Sequence, residues 1–293
     1  MLFVALQKTD IMLLKIKKHV LKLVHVGIRT VCTGSKNMKN NDFFKIKEDL
    51  SLLGIKTGDD ILVHSSFKNL GGVEGGIETV IEALLSVVGD NGTLLFPTLS
   101  FSTVNPEPPI NNPVFDVRNT PSCVGAMSNV FMNFEGVERS LHPTHSVAAL
   151  GARQKEYIEN HELDNEPVGE NSPFFKLGKL GGKVLFLGCS TKSNTSMHGV
   201  EEYAKAPYVL SENTRHYVII NKDGNRTEKD YYYHYIHQRG FAQRYDRLEN
   251  IMNFQRGNVL KAECAVVDCE EMWKVGSEKI KSDPYYFVEK IEQ

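Results

Sequence analysis

Val184-Leu185-Phe186-Leu187-Gly188-Cys189-Ser190-Thr191-Lys192-Ser193-Asn194-Thr195-Ser196-Met197-His198-Gly199-Val200-Glu201 is the stretch on which the reading of this chain turns. The apolar run Val184 to Leu187 reads as a buried strand, and the Ser193 to Ser196 cluster as the loop and N-cap that open a helix. His198 and Glu201 then fall three apart on one helical face, where a carboxylate can orient an imidazole. With an ordinary pKa of about 6.5, such a histidine is mostly neutral at physiological pH and able to accept a proton. The pair also fits a plain surface contact at a helix start, so the decision passes to the rest of the chain.

Beyond Asp42, short apolar runs alternate with helical stretches, which predicts an α/β sheet. Ile61 to Val63 reads as a strand, Ile77 to Val88 as a helix, and Thr93 to Phe96 as a strand stopped by Pro97. Phe101 to Pro113, with four prolines, reads as a long irregular loop. Ligands of open α/β sheets bind beyond the carboxyl ends of strands, so His64 and the segment after Gly188 are expected to converge on one crevice. Gly71-Gly72-Val73-Glu74-Gly75-Gly76 precedes a helix, which suits either a phosphate cradle or a structural turn. His142-x-x-His145 has the look of a metal pair, but Pro143 disfavours a continuous helix and no third ligand lies nearby, so no metal is expected.

The length of 293 residues allows one large domain, or one domain with a subdomain. A net charge of −2 offers no argument for a nucleic-acid partner. The five cysteines are scattered and odd in number, unlike a disulfide framework or a closed zinc site, and fit a reducing cytoplasm. No apolar run reaches the roughly 20 residues that span a bilayer, and the Met1 to Leu6 opening lacks signal-peptide order. Residues 1–40 form a distinct unit: eight basic residues against Asp10 give +7, which leaves residues 41–293 at −9. Lys15, Lys18, Lys22, His25 and Arg29 follow one helical stripe and apolar residues gather opposite. Residues 1–35 are therefore read as an amphipathic helix suited to peripheral contact with an anionic membrane face, or to packing on protein, followed by a linker. The oligomeric state stays open, a homodimer included.

Several segments then agree in order and spacing. They are Asp60-Ile61-Leu62-Val63-His64-Ser65-Ser66-Phe67, Leu70 to Gly76, Arg139-Ser140-Leu141-His142-Pro143-Thr144-His145-Ser146 through Gly151, Gly169-Glu170-Asn171-Ser172-Pro173, and Met197-His198-x-x-Glu201. From about Phe43 to Phe287 the chain resembles the aminoglycoside 3-N-acetyltransferases. The resemblance implies the three-layer α/β antibiotic N-acetyltransferase fold rather than the GNAT fold, acetyl-CoA as donor and a primary amine as acceptor. It casts His198 as general base and Glu201 as the group that fixes its tautomer. His64, Ser65, Ser66, Gly72, Val73, Gly75, Arg139, Ser140, His142 and Ser146 are expected along the cofactor cleft. His145, Asp116, Arg239 and Arg244 are expected on the acceptor side. The Ser193 to Ser196 loop is the candidate for oxyanion donors.

One departure bears on the acceptor. Ser100 to Pro113 carries only Glu107 as a charged residue, and Thr214 to Arg247 leans basic, whereas a polycationic antibiotic calls for acidic walls. A basic pocket suits an anionic amino sugar, such as a sugar nucleotide used for surface polysaccharide, and the segment's charge predicts such an acceptor. The plain alternative for Thr214 to Arg247 is a solvated, charge-rich helix face. An aminoglycoside-resistance enzyme is the alternative of the same chemistry. A metal-dependent hydrolase built on His142, His145 and His198, and a non-catalytic CoA-binding scaffold, are the alternatives from other classes.

Overall fold

Asp60–Ser65 forms strand β1, and Ile61, Leu62 and Val63 are all buried because helices cover both faces of the sheet at whose centre it lies. In the computed structural model, residues 40–292 are described. The amphipathic helix and linker expected over the preceding residues lie outside them. In chain order the elements are α1 (Asn41–Leu52), β1, α2 (Gly76–Val88), β2 (Thr93–Pro97), β3 (Val114–Asp116), α3 (Ala126–Phe131), β4 (Glu138–Arg139), β5 (Val147–Gly151), α4 (Gln154–Ile158), α5 (Pro173–Lys179), β6 (Lys183–Leu187), α6 (Ser196–Tyr203), β7 (Arg215–Ile220), β8 (Arg226–Tyr231), β9 (Phe241–Gln243), β10 (Gln255–Val259), β11 (Ala262–Asp268), α7 (Cys269–Ser282) and β12 (Val288–Lys290).

The main sheet has seven strands in the order β10-β11-β6-β1-β2-β5-β4. Its centre, β6-β1-β2, is parallel, and the flanking pairs are antiparallel. Side chains alternate across the sheet, so Ile61 and Val63 join the core under α1 and α2 while Leu62 joins the core under α5, α6 and α7. The result is helix, sheet and helix in three layers, as the resemblance implied. Two small sheets sit outside it, β3-β7-β8 and β12-β9. The charge-rich stretch after Thr214 is the β7–β8 hairpin and the turns that follow, not a helix face. Among the described residues, no helix is long and apolar enough to cross a membrane.

Helix α6 lies close against α7 because Gly199 leaves room for the Trp273 ring: a Cβ at 199 would strike both that ring and Val168 Cγ1. Gly199→Ala should therefore destabilise the protein by about 1–3 kcal/mol through overpacking. Denaturant unfolding measures this, and a variant as stable as the parent would show that the two helices can part freely.

Candidate active site

The register of the parallel centre brings two strand ends together. β1 and β6 pair with His64 opposite Phe186 and Ser65 opposite Leu187, so both chains leave the sheet at the same edge. After β6 the chain turns at Gly188, whose φ of +68° suits a residue without a side chain and whose Cβ would meet the Ser66 carbonyl oxygen at 3.2 Å. A short turn, Thr191–Ser193, follows, with the Ser190 hydroxyl accepting from the Lys192 amide at 3.2 Å. Helix α6 then begins. Thr195 precedes it in a helical conformation and makes no side-chain cap, unlike the N-cap expected from the sequence.

Between these ends lies a cavity of about 520 Å³. His64, Ser65, Cys189, Lys192, Ser193, Asn194, Thr195, His198 and Tyr245 line it, together with Leu99 and Phe101 from beyond β2. The convergence of His64 with the segment after Gly188 is thus as the strand-end argument requires. His64 stacks on Phe186 with ring centroids 5.5 Å apart, and burial lowers its pKa to about 3. It is a neutral wall of the cavity, not a cation for phosphate.

His198 presents Nδ1 inward. Glu201 Oε2 lies 3.4 Å from it, and the Tyr245 hydroxyl stands between them, 2.8 Å from His198 Nδ1 and donating to Glu201 Oε2 at 2.7 Å. The other carboxylate oxygen accepts from the Tyr208 hydroxyl at 2.8 Å. Glu201 is fully buried, and burial beside that carboxylate pushes the Tyr245 hydroxyl well above its usual pKa, so it stays protonated. Since Tyr245 has one proton and gives it to Glu201, Nδ1–H of His198 can donate to the Tyr245 oxygen. That tautomer leaves Nε2 as the acceptor, and among the described residues no group bonds to it. Glu201 therefore orients His198 chiefly through a tyrosine.

Neither tyrosine was found from the sequence. Tyr245 lies 47 residues from His198, in a run whose sequence signal is its basic lean, and no local periodicity links the two.

The other expected residues divide. Arg139 is half-buried and lines a different cavity, donating to the carbonyl oxygens of Thr98 and Thr120 at 2.6 Å each and to the Ser146 hydroxyl at 2.8 Å. Burial lowers its pKa to about 10. Ser140 contacts His161 Nδ1 at 2.9 Å and accepts the Val147 amide, while His142 Nδ1 accepts the amides of Thr144 and His145. These four residues knit the β4–β5 turn together and do not line the His198 cavity. His145 comes closer, with its ring 6.2 Å from that of His198. Among the described residues, no group of three or more His, Cys, Asp or Glu side chains is placed to hold a metal ion.

Gly72, Val73 and Gly75 also lie outside the cavity lining, as does Ser66. Gly75 caps α2, and the turn is tied to α1 by the Glu74 amide donating to Asp42 at 2.8 Å. Its glycines serve left-handed backbone, with φ of +87° at Gly72 and +78° at Gly75.

The acceptor-side cations need correction. Arg239 reaches the Leu210 carbonyl and Glu212, and Arg244 is held by Asp246 and Glu289. Asp116 is chelated by Arg118 at 2.8 and 2.9 Å. None of the three lines the cavity, and the two arginines are met by carboxylates both near in sequence, Asp246, and far from them, Glu212 and Glu289. The Arg239 and Arg244 variants with Ala should leave the acceptor KM within about twofold of the parent, since both guanidiniums are already engaged. A selective rise in acceptor KM would restore them to the site.

A family model for aminoglycoside 3-N-acetyltransferase matches residues 62–281 of this chain. The chain belongs to the aminoglycoside 3-N-acetyltransferase family, whose members are N-acyltransferases. The SPbeta prophage-derived aminoglycoside N(3')-acetyltransferase-like protein YokD of Bacillus subtilis (strain 168) is 31% identical over 255 residues, covering 80% of this chain and 92% of that protein. Its crystal structure superposes with a TM-score of 0.69 over 82% of this chain and 93% of that one, at 29% identity. Aminoglycoside N(3)-acetyltransferase III of Salmonella sp is 36% identical over 174 residues, 55% of this chain and 60% of that enzyme. A mutant of aminoglycoside acetyltransferase AAC(3)-IVa in complex with a gentamicin is 28% identical, with a TM-score of 0.68 over 83% of this chain and 89% of that one. In this family frame, the motif segments expected at the sheet edge have the places described above for β1, β6 and α6.

Proposed function

We propose that this protein transfers the acetyl group of acetyl-CoA to the 3-amino group of an aminoglycoside, by direct attack within a ternary complex. The observation that carries the reading is the buried Glu201–Tyr245–His198 array, which leaves Nε2 of His198 free beside a cavity at the carboxyl ends of β1 and β6. Family membership supports an acyl-CoA donor, and the relatives' names and the gentamicin complex support the aminoglycoside. A sugar-nucleotide acceptor is less well supported, because the arginines meant for its diphosphate are bound by Glu212, Asp246 and Glu289.

The amine reaches the enzyme as an ammonium and must lose a proton before it attacks the thioester carbonyl. Nε2 of His198 takes that proton, and the charge that develops on the ring is met by Glu201 through Tyr245, the general-base role that typically contributes about 10²–10⁴-fold. The tetrahedral oxyanion needs donors aimed at it, and Ser193 and Thr195 are the hydroxyl residues beside His198 on the cavity wall. Attack leaves the nitrogen positively charged, and it gives up its second proton as the intermediate collapses and expels the CoA thiolate. Of the two protons shed by the nitrogen, one ends on the thiol and the other is released to solvent.

The decisive assay presents acetyl-CoA with a panel of aminoglycosides, simple amino sugars and amino sugar nucleotides, and follows thiol release and product mass. Acetylated gentamicin-type product with kcat/KM of roughly 10⁴ M⁻¹s⁻¹ or more is expected. Turnover confined to sugar nucleotides would overturn the acceptor class, and thiol release on no amine would overturn the enzyme reading.

A further inference from the structure

Glu202 follows Glu201 on α6 but serves a different ring. Its Oε1 shares a 2.6 Å hydrogen bond with Nε2 of His234, and its two carboxylate oxygens accept the Val168 amide at 3.2 and 3.1 Å. His234 is set from its own backbone: the Ser211 amide donates to the Tyr233 carbonyl at 2.9 Å and the Tyr235 amide to the Val209 carbonyl at 2.8 Å, on either side of it. Held in this way, the His234 ring lies over that of His198, with centroids 4.0 Å apart and planes 26° from parallel. His145 closes the group edge-on to His234, at 4.7 Å. Burial pushes the Glu202 carboxyl well above its usual pKa and the His234 imidazole well below its own, and each shift favours an uncharged form.

An imidazole anchored at one nitrogen can still tilt about that hydrogen bond. Tyr245 and Glu201 secure the Nδ1 edge of His198 but not its plane, and the direction of the Nε2 lone pair depends on the plane. A ring packed over the face at van der Waals distance removes that freedom. We infer that His234 and Glu202 are positioning residues for the transfer: Glu201 fixes the edge of the His198 ring through Tyr245, and Glu202 fixes its face through His234. The inference rests on His198 being the base of the reaction proposed above. It accounts for two consecutive carboxylates on α6 that are both withdrawn from solvent, with side-chain exposures of 0% for Glu201 and 5% for Glu202.

Two substitutions separate face packing from general damage. His234→Ala removes the platform and should lower kcat about 10- to 100-fold, the scale of misplacing a reacting group by roughly an ångström, with the acetyl-CoA KM within about threefold of the parent. His234→Phe restores a flat ring without the hydrogen bond to Glu202, and should return kcat to within about threefold of the parent. Glu202→Ala takes away the partner of His234 and should lower kcat in the same direction as His234→Ala, whereas Glu202→Gln, which keeps a carbonyl for the Val168 amide and a partner for His234, should recover it. Equal kcat in Glu202→Ala and the parent would remove Glu202 from the inference. His234→Ala with kcat within twofold of the parent, or His234→Phe no better than His234→Ala, would overturn the inference.

A readout without turnover keeps this test apart from that of the proposed function. In the folded parent, the carbon-bound ring protons of His198 should show an upfield ring-current shift in NMR spectra. The shift should be lost in His234→Ala and kept in His234→Phe. Unchanged His198 resonances in His234→Ala would deny the stack itself, whereas a parent that stacks the rings but acetylates no amine would fail the proposed function alone.

Discussion

Replacing His198 with Ala is expected to lower kcat by at least about 10²-fold while acetyl-CoA affinity stays within a few-fold, because the lost group acts on the acceptor proton and not on the donor. The fold should survive the change. Tyr245 keeps its 2.7 Å bond to Glu201 when the imidazole is gone, so no buried carboxylate loses both of its tyrosine donors. The vacated ring space also adjoins the cavity that His198 lines, so added imidazole should recover part of the lost turnover. Steady-state kinetics with CoA binding measured separately distinguishes the outcomes. Near-normal turnover removes His198 from the chemistry, and parallel loss of CoA binding gives it a structural role.

Glu201→Ala is the second large effect, and it should appear in stability as well as in rate. Glu201 is fully buried and accepts from both Tyr208 and Tyr245, so its removal leaves the Tyr208 hydroxyl without an acceptor and Tyr245 with His198 Nδ1 as its one remaining partner. A buried donor left without an acceptor costs about 1–3 kcal/mol, which predicts a loss of at least that size in denaturant unfolding. Glu201→Gln should be milder in stability. Its carbonyl still accepts from one tyrosine, and the other hydroxyl can accept from the new amide. Turnover should nevertheless fall about tenfold or more, since the neutral amide no longer stabilises the cation that forms on His198. Equal stability of the Ala and Gln variants would show that Glu201 is not the hub of a hydrogen-bonded interior.

Part of this was legible in the chain because it depends on neighbours. The β6 run and the His198–Glu201 spacing lie within one strand-loop-helix unit, where 3.6-residue periodicity places side chains without knowledge of the rest. The place of His64 on the cavity wall was legible for a similar reason, as strand order sets the end of β1 beside the end of β6. The side-chain N-cap expected within Ser193 to Ser196 is absent because the helix start is met by backbone bonds, Met197 to Asn194 and His198 to Thr195, each at 3.1 Å.

The sugar-nucleotide acceptor is the less well supported reading for a different cause. Counting charges over Thr214 to Arg247 treats each arginine as free, yet Arg244 meets Glu289 and Arg215 meets Glu107, 45 and 108 residues away. Charge balance along a sequence cannot record which opposite charge the fold will bring alongside.

The same distinction holds for the whole protein. By itself the sequence determined the alternation of strands and helices, the carboxyl-end location of the crevice and the imidazole–carboxylate pair on α6, because each follows from local periodicity and strand order. Only the tertiary structure decided how that pair is wired: Tyr245 and Tyr208 on Glu201, His234 and Glu202 against the ring face, and Arg139 turned to the Thr98 and Thr120 carbonyls away from the His198 cavity. Those contacts join segments tens of residues apart. Their geometry exists only once the sheet and its flanking layers have packed, and hydrogen bonds between distant side chains leave no period in the chain for a reader to find.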